Sequence, residues 1–294
     1  MRARRGGVSL LALLAIGTAA LLGAAPAAAD PGLETSASSR YVLDAADTVL
    51  DVSITLRLRN VTTDPGDGSY TYFDGYAVPV PAGAEKVRAR SAGDSLAVDL
   101  EATQDPSTAL ARISFPELRS GSTRDITLTF EAPGEKPRSA DGTRVGPGYA
   151  TFAVYGLGDP GSSAVEVVAP ASMVFDSTSD AFTDVSDGDV VTHRVSSSDP
   201  DGFWAVVSLR DPTTVEERSV QAGGTSFILA AFPDDPEWAD FVADRLATGI
   251  PALEGLVGTP WPGGLERIRE DASPSLRGYD GWFDPSGDEI VVGD

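Results

Sequence analysis

The sequence predicts a mostly β protein: an antiparallel β-sandwich over residues 39–222, followed by an incomplete α/β segment over 224–294. Three observations carry that reading. Short runs alternate apolar and polar residues along most of the chain, which buries one face of a strand and wets the other. Clusters of Gly, Pro, Asp and Ser divide these runs, and the 31 Gly and 21 Pro together exceed the roughly 35 such residues that average usage would place in a chain of this length. Beyond Gly223-Gly224 the texture changes to a continuous apolar run and then to helical spacing.

Taken in order, residues 1–29 read as an export signal. Arg2, Arg4 and Arg5 form a basic start, Val8 to Ala25 an apolar stretch, and Ala27-Ala28-Ala29 a small-residue cleavage site before Asp30. Gly17, Thr18, Gly23 and Pro26 interrupt the stretch, so cleavage is expected rather than retention as a membrane anchor, and the expected location is secreted or extracytoplasmic, at the cell envelope. Residues 30–38 are small and polar and read as a flexible tether. Val52, Ile54, Leu56 and Leu58 then alternate with polar neighbours, as do Ile126, Leu128 and Phe130. Shorter β-rich runs lie at Tyr70–Val80, Leu96–Leu100, Leu110–Phe115, Tyr149–Tyr155, Ala164–Val168, Val190–Val195 and Phe203–Leu209. Asp-Pro-Gly and related clusters between them are turn chemistry, because proline presets φ and glycine accepts positive φ.

The back segment opens with Phe227-Ile228-Leu229-Ala230-Ala231-Phe232, the pattern of a strand covered on both faces. A helix follows: Asp235 caps it, Pro236 suits its first position, and Trp238, Phe241, Val242, Leu246, Ile250 and Leu253 recur at helical spacing. Gly249 and Pro251 predict a kink or division near Thr248. Strands are expected around Leu265–Arg269 and at Glu289–Val292.

Composition narrows the chemistry. The chain has no cysteine and one histidine, which removes disulfides, thiol nucleophiles and Cys/His structural zinc sites. With 22 basic against 44 acidic residues, its surface repels phosphate backbones, so nucleic acid is a poor partner. Oligomeric state is left open. Gly156-Leu157-Gly158-Asp159-Pro160-Gly161 has the spacing of a dinucleotide-binding loop, but β-rich sequence follows it where a helix is needed, so it reads as a hairpin connection. Asp184, Asp187 and Asp189 concentrate hard oxygen ligands and are calcium candidates without the EF-hand spacing. His193 shares a strand face with Val191 and Val195, and no G-x-S-x-G elbow accompanies it, so it reads as a partly buried strand histidine rather than a catalytic base. Tyr279-Asp280-Gly281-Trp282-Phe283-Asp284 joins aromatic and acidic groups, suited either to lining a groove or to a surface turn.

The order of parts, a β domain behind an export signal, a Gly-Gly junction, a buried strand and a long helix ending in Leu256-Val257-Gly258-Thr259-Pro260-Trp261-Pro262, resembles the front portion of M1-type zinc aminopeptidases and related gluzincins. In that family a β-rich N-terminal domain precedes a thermolysin-like catalytic domain, whose beginning residues 224–294 would then represent. The family's H-E-x-x-H helix has no counterpart here, so no catalytic residue is carried over, the chain as given is expected to be inactive, and zinc is expected only in a complete parent. The family's Gly-x-Met-Glu-Asn strand is likewise unmatched. The nearest place in order is Gly278-Tyr279-Asp280-Gly281, and with Trp282 these are the candidate groove residues. The reading that results is the non-catalytic N-terminal part of an exported M1-like metallopeptidase, its β domain walling a cleft for a peptide or protein substrate. The alternative is a non-enzymatic cell-envelope module that binds protein or glycan.

Overall fold

In the computed structural model, the structure describes residues 32–65, 67–139, 142–197, 202–272, 281–285 and 287–293. The expected export signal lies outside them, and no helix among the described residues is long and apolar enough to cross a membrane. The fold is mostly β, with one helix among the described residues.

The front of the chain forms β1 (Leu33–Asp44), β2 (Val49–Asn60), β3 (Tyr72–Pro81), β4 (Glu85–Ser91), β5 (Asp94–Ala102), β6 (Thr108–Arg119) and β7 (Thr123–Pro133). After them come β8 (Arg144–Gly146), β9 (Tyr149–Gly156), β10 (Ser163–Pro170), β11 (Val174–Ser177), β12 (Thr183–Asp187), β13 (Val190–Ser197) and β14 (Phe203–Arg210). The tether expected over 30–38 is replaced from Leu33 onward by the first half of β1. Its small polar residues pair along their whole length with β2, from Leu33 opposite Asn60 to Asp44 opposite Val49. Ladder hydrogen bonds and the inward Leu33, Ala37, Tyr41 and Leu43 hold a strand that composition alone presents as loose. The Asp44 carboxylate accepts the amides of Ala46 and Asp47 and closes the turn into β2.

These strands form a ten-stranded sheet, in the order β12-β13-β10-β1-β2-β7-β4-β5-β6-β3, and a four-stranded sheet, β11-β14-β9-β8. The alternating residues Val52, Ile54, Leu56 and Leu58 of β2 and Ile126, Leu128 and Phe130 of β7 all point into one apolar core, together with Phe152 and Val154 of β9 and Val207 and Leu209 of β14 from the smaller sheet. Tyr41 stacks on Phe152 across it, with ring centroids 6.0 Å apart. The pairing is not wholly antiparallel: β10 runs parallel to β1, with Ala37 opposite Ser163. Nor is the glycine-rich segment at 156–161 a hairpin connection, because it carries the chain from β9 in one sheet to β10 in the other. A Cβ at Gly158 would stand 2.3 Å from the Ser162 carbonyl, and the Asp159 carboxylate accepts the Thr35 amide at 2.6 Å, so the loop is clamped against β1. Alternation shows that a strand buries one face but not which sheet it joins.

The back of the chain forms β15 (Glu216–Ala222), β16 (Thr225–Ala231), helix α1 (Pro236–Val257), β17 (Arg267–Glu270), β18 (Gly281–Asp284) and β19 (Glu289–Val292). Its sheet has the order β15-β16-β17-β19-β18, with β16, β17 and β19 parallel and the two outer strands antiparallel to their neighbours. The Gly223-Gly224 junction, expected to divide the two parts, is the turn of the β15–β16 hairpin, with Gly223 at φ +60°. β15 therefore belongs to the back sheet. Its polar sequence hides this, since an edge strand needs few apolar residues.

Asp235 caps α1 as expected, accepting the Trp238 amide at 3.2 Å, and Pro236 follows at the start. Trp238, Val242 and Ile250 pack on Phe227, Leu229, Ala231 and Ile268. The predicted division near Thr248 is absent: α1 runs through Pro251 to a left-handed cap at Gly258, and the Thr248 hydroxyl donates to the Asp244 and Arg245 carbonyls. A 22-residue helix is about 33 Å long, whereas strands of four to seven residues span only about 13–24 Å, so its last turns overhang the sheet. Leu256 is accordingly 84% exposed. α1 covers the Phe227, Leu229 and Ala231 face of β16, while on the other face Ala230 is buried and Ile228 is 39% exposed, so the expected cover is complete on one face only. The Gly258–Pro262 loop turns back through Trp261, whose amide donates to Glu254 and whose indole lies edge-on to Phe227.

Candidate functional site

β17 reads Arg-Ile-Arg-Glu, yet Arg269 and Glu270 are buried. Charges out of water need partners, and these have them. Arg269 Nε donates to Glu289 Oε1 at 2.6 Å, its Nη1 to Asp271 Oδ2 at 3.3 Å, and its Nη2 lies 3.6 Å from Asp284 Oδ2. One guanidinium thereby ties β17 to β19, to the edge strand β18 and to the segment beyond β17. Arg267 adds bonds to Glu289 Oε2 at 3.2 Å and to Glu217 of β15 at 2.6 Å.

Glu270 accepts the backbone amide of Phe232 through Oε2 at 2.7 Å. Burial, with the neighbouring Asp235 carboxyl adding to it, pushes Glu270 up to about 9, against the opposing pull of the Phe232 amide and Arg138. It is therefore a neutral acid at ordinary pH. Its Oε1 finds no donor among the described residues, and the acid proton makes Glu270 a donor toward the Asp235 carboxylate. Asp235 Oδ1 also accepts from Arg138 Nη2 at 2.7 Å, and Asp234 Oδ2 accepts the Tyr149 hydroxyl at 2.8 Å. Burial and that carboxylate raise the Tyr149 phenol well above its usual range. Its ring packs on Phe232 with centroids 4.4 Å apart.

Arg138, Arg144 and Tyr149 come from the front β unit, while Phe232, Asp234, Asp235 and Glu270 stand at the C-terminal ends of β16 and β17. Arg144 Nη1 closes the junction on the Ala272 carbonyl at 3.1 Å. At the end of β14, burial and the nearby Arg269 lower the Arg210 guanidinium, with Glu289, Asp271 and Asp284 acting in opposition. The seam thus joins the front unit to the carboxyl ends of parallel strands, the side of an α/β sheet on which ligand crevices form. Among the described residues, Arg269 is paired with Glu289, Asp271 and Asp284, and Arg138 with Asp235, which fastens the elements at this seam to one another. What borders it on the outside is β18, paired with β19 on one edge and with no strand on the other among the described residues. Trp282 is half-buried there and Phe283 is 49% exposed. A Cβ at Gly281 would come 3.1 Å from the Val291 carbonyl.

Of the candidate groove residues, Gly281 and Trp282 lie on this edge strand, whereas Gly278, Tyr279 and Asp280 lie outside the described residues. The calcium candidates are spread along one hairpin. Asp184 in β12 binds His193 Nδ1 at 2.6 Å, and Asp187 and Asp189 flank Gly188 at the tip. Among the described residues no three His, Cys, Asp or Glu side chains gather as a metal cage. His193 is buried and stacked on Phe175 at 3.8 Å. Sequence reasoning missed Tyr149, Asp234, Arg269, Glu270 and Glu289. The available signal was the run Arg267-Ile268-Arg269-Glu270-Asp271, four charges around one isoleucine at the end of the strand expected around Leu265–Arg269.

No family model matches the chain, and no curated protein matches it. Solved structures do. An M1 zinc metallopeptidase from Deinococcus radiodurans is 16% identical over 83% of this chain and 57% of its own, with a TM-score of 0.37. An aminopeptidase N family protein from Idiomarina loihiensis is 12% identical over 87% and 42%, at 0.38. Leukotriene A4 hydrolase from Saccharomyces cerevisiae is 10% identical over 90% and 41%, at 0.39. The chain spans less than two thirds of each, and at these TM-scores the superpositions carry no argument about function.

Proposed function

We propose that this chain is the non-catalytic N-terminal part of an exported M1-like zinc metallopeptidase, and that its front β unit forms one wall of a peptide cleft whose other side begins at β18. The observation that carries the reading is the placement of an antiparallel edge strand, bearing Trp282 and Phe283, at the margin of a mixed sheet, with Arg269 and Asp284 tying it to the seam. An extended peptide adds to such an edge by main-chain hydrogen bonding, and aromatic side chains supply contact area. The Gly258–Pro262 loop, which carries the family resemblance, supports the reading by pinning the end of α1 through Trp261.

Zinc in such an enzyme polarises the peptide carbonyl and acidifies a water. The described residues do not fit that ion: one histidine, committed to Asp184 and Phe175, cannot form the cage, and no chemical step is assigned to it. The test uses the whole chain. Metal analysis and peptide turnover are expected to find neither stoichiometric zinc nor cleavage, while photo-crosslinking peptides of five to eight residues are expected to label β18 and the end of β14. Bound stoichiometric zinc, or labelling confined to other strands, rejects the proposal.

A further inference from the structure

A second site lies in the front β unit. A cavity of about 150 Å³ opens where β1, β2 and β7 of the large sheet meet β9 of the small one. Leu50, Val52, Ile54 and Phe130, all four buried, give it an apolar wall, while Ser107, Thr108, Thr143 and Tyr155 also border it. Protein interiors pack to the density of organic crystals, with few voids larger than water. This one persists because short or rigid residues stand where longer side chains would close it: Ala132 and Ala153 within, Pro81 and Gly83 at the β3 end.

The polar group deepest among these apolar residues has a hydrogen-bonding valence unused. The Tyr41 hydroxyl, on a residue only 5% exposed, accepts the Tyr155 amide at 3.3 Å, and no acceptor among the described residues takes its proton. Burial raises this phenol far above its usual range, so it remains a donor. A buried donor without an acceptor is costly, and a ligand oxygen would remove that cost.

We propose that this cavity binds a small neutral molecule with a single-ring aromatic body and one acceptor oxygen, which takes the Tyr41 proton. The size follows from the volume, since an apolar cavity of ~150 Å³ accommodates a benzene ring. Neutrality follows from the buried apolar part of the lining at Leu50, Val52, Ile54 and Phe130, which could not replace the hydration of an ion seated against it. Glu135, also lining the space, disfavours anions further.

Acetophenone and ethylbenzene, nearly equal in shape but differing in the acceptor, test this on the whole chain. Saturation-transfer NMR is expected to show saturable binding of both to wild type, acetophenone about five- to tenfold tighter, in line with one hydrogen bond. Tyr41→Phe should erase that preference and leave ethylbenzene binding unchanged. Ala132→Leu, checked for folding by circular dichroism, should weaken both at least tenfold. The proposal is overturned if wild type binds neither probe saturably, if its preference for acetophenone is absent or survives in Tyr41→Phe, or if a folded Ala132→Leu variant binds as wild type does. The wild-type measurements decide even if the filled variant does not fold.

Discussion

Glu270 is where a single residue governs stability most directly. Its carboxyl is held near 9 in the folded chain, against an ordinary value of 4.5, chiefly because it is buried. The folded state therefore retains a proton that the unfolded chain releases, and stability falls as pH rises from about 4.5 to about 9, by at most ~1.4 kcal/mol per pH unit from this group. Below that window both states are protonated, and above it the slope vanishes. Glu270→Gln keeps the neutral shape without the ionisation, so urea unfolding at pH 6, 7.5 and 9 should show a flatter profile than wild type. An unchanged slope would mean that Glu270 is not the group that titrates. This behaviour was invisible in the sequence, where Glu270 is one acidic residue among 44 and nothing marks it as buried beside Asp235.

At the scale of elements, α1 shows propensity overruled by packing. Proline inside a helix lacks a donor and crowds the preceding turn, a cost of about 3 kcal/mol in an interior position. Here the helix continues, because Trp238, Val242 and Ile250 fasten it to the sheet on either side of the expected break, and Gly258 ends it in a left-handed cap. Pro251 is itself exposed, so nothing packs around its ring that replacement would lose. Pro251→Ala should restore an amide donor to the Ala247 carbonyl and stabilise the chain by roughly 1–3 kcal/mol, read as a higher denaturation midpoint with unchanged slope. A lower midpoint would show that the proline fits a local distortion the helix needs. The strands teach the opposite lesson. β2 and β7 follow their alternation residue by residue because both bury one face in a broad core, whereas β1 and β15, small or polar in sequence, exist through pairing with β2 and β16.

For the whole molecule, a formal net charge of −22 opposes compaction. Most ion pairs, such as Arg57–Asp125 and Arg218–Asp240, lie at the surface and contribute little, while the Arg269–Glu289 pair is enclosed and screened far less by salt. General repulsion should therefore dominate the response to salt: raising NaCl from about 0.01 M to about 0.15 M shortens the Debye length from ~30 Å to ~8 Å and should raise Tm. A falling Tm would place the balance with the surface pairs instead. The sequence by itself determined the β-rich class, the helix with its Asp235 cap and the inward faces of β2 and β7, because each depends on residue type and near-neighbour spacing. Tertiary structure alone decided which sheet each strand joins, that β18 is an edge, that Tyr149 meets Asp234 and Glu270 meets Asp235, and that Tyr41 faces a cavity. Most of those outcomes arise from groups distant in sequence being brought together, as Tyr149 is with Asp234 and Ala37 with Ser163, and a strand's alternation specifies its buried face without specifying its neighbour.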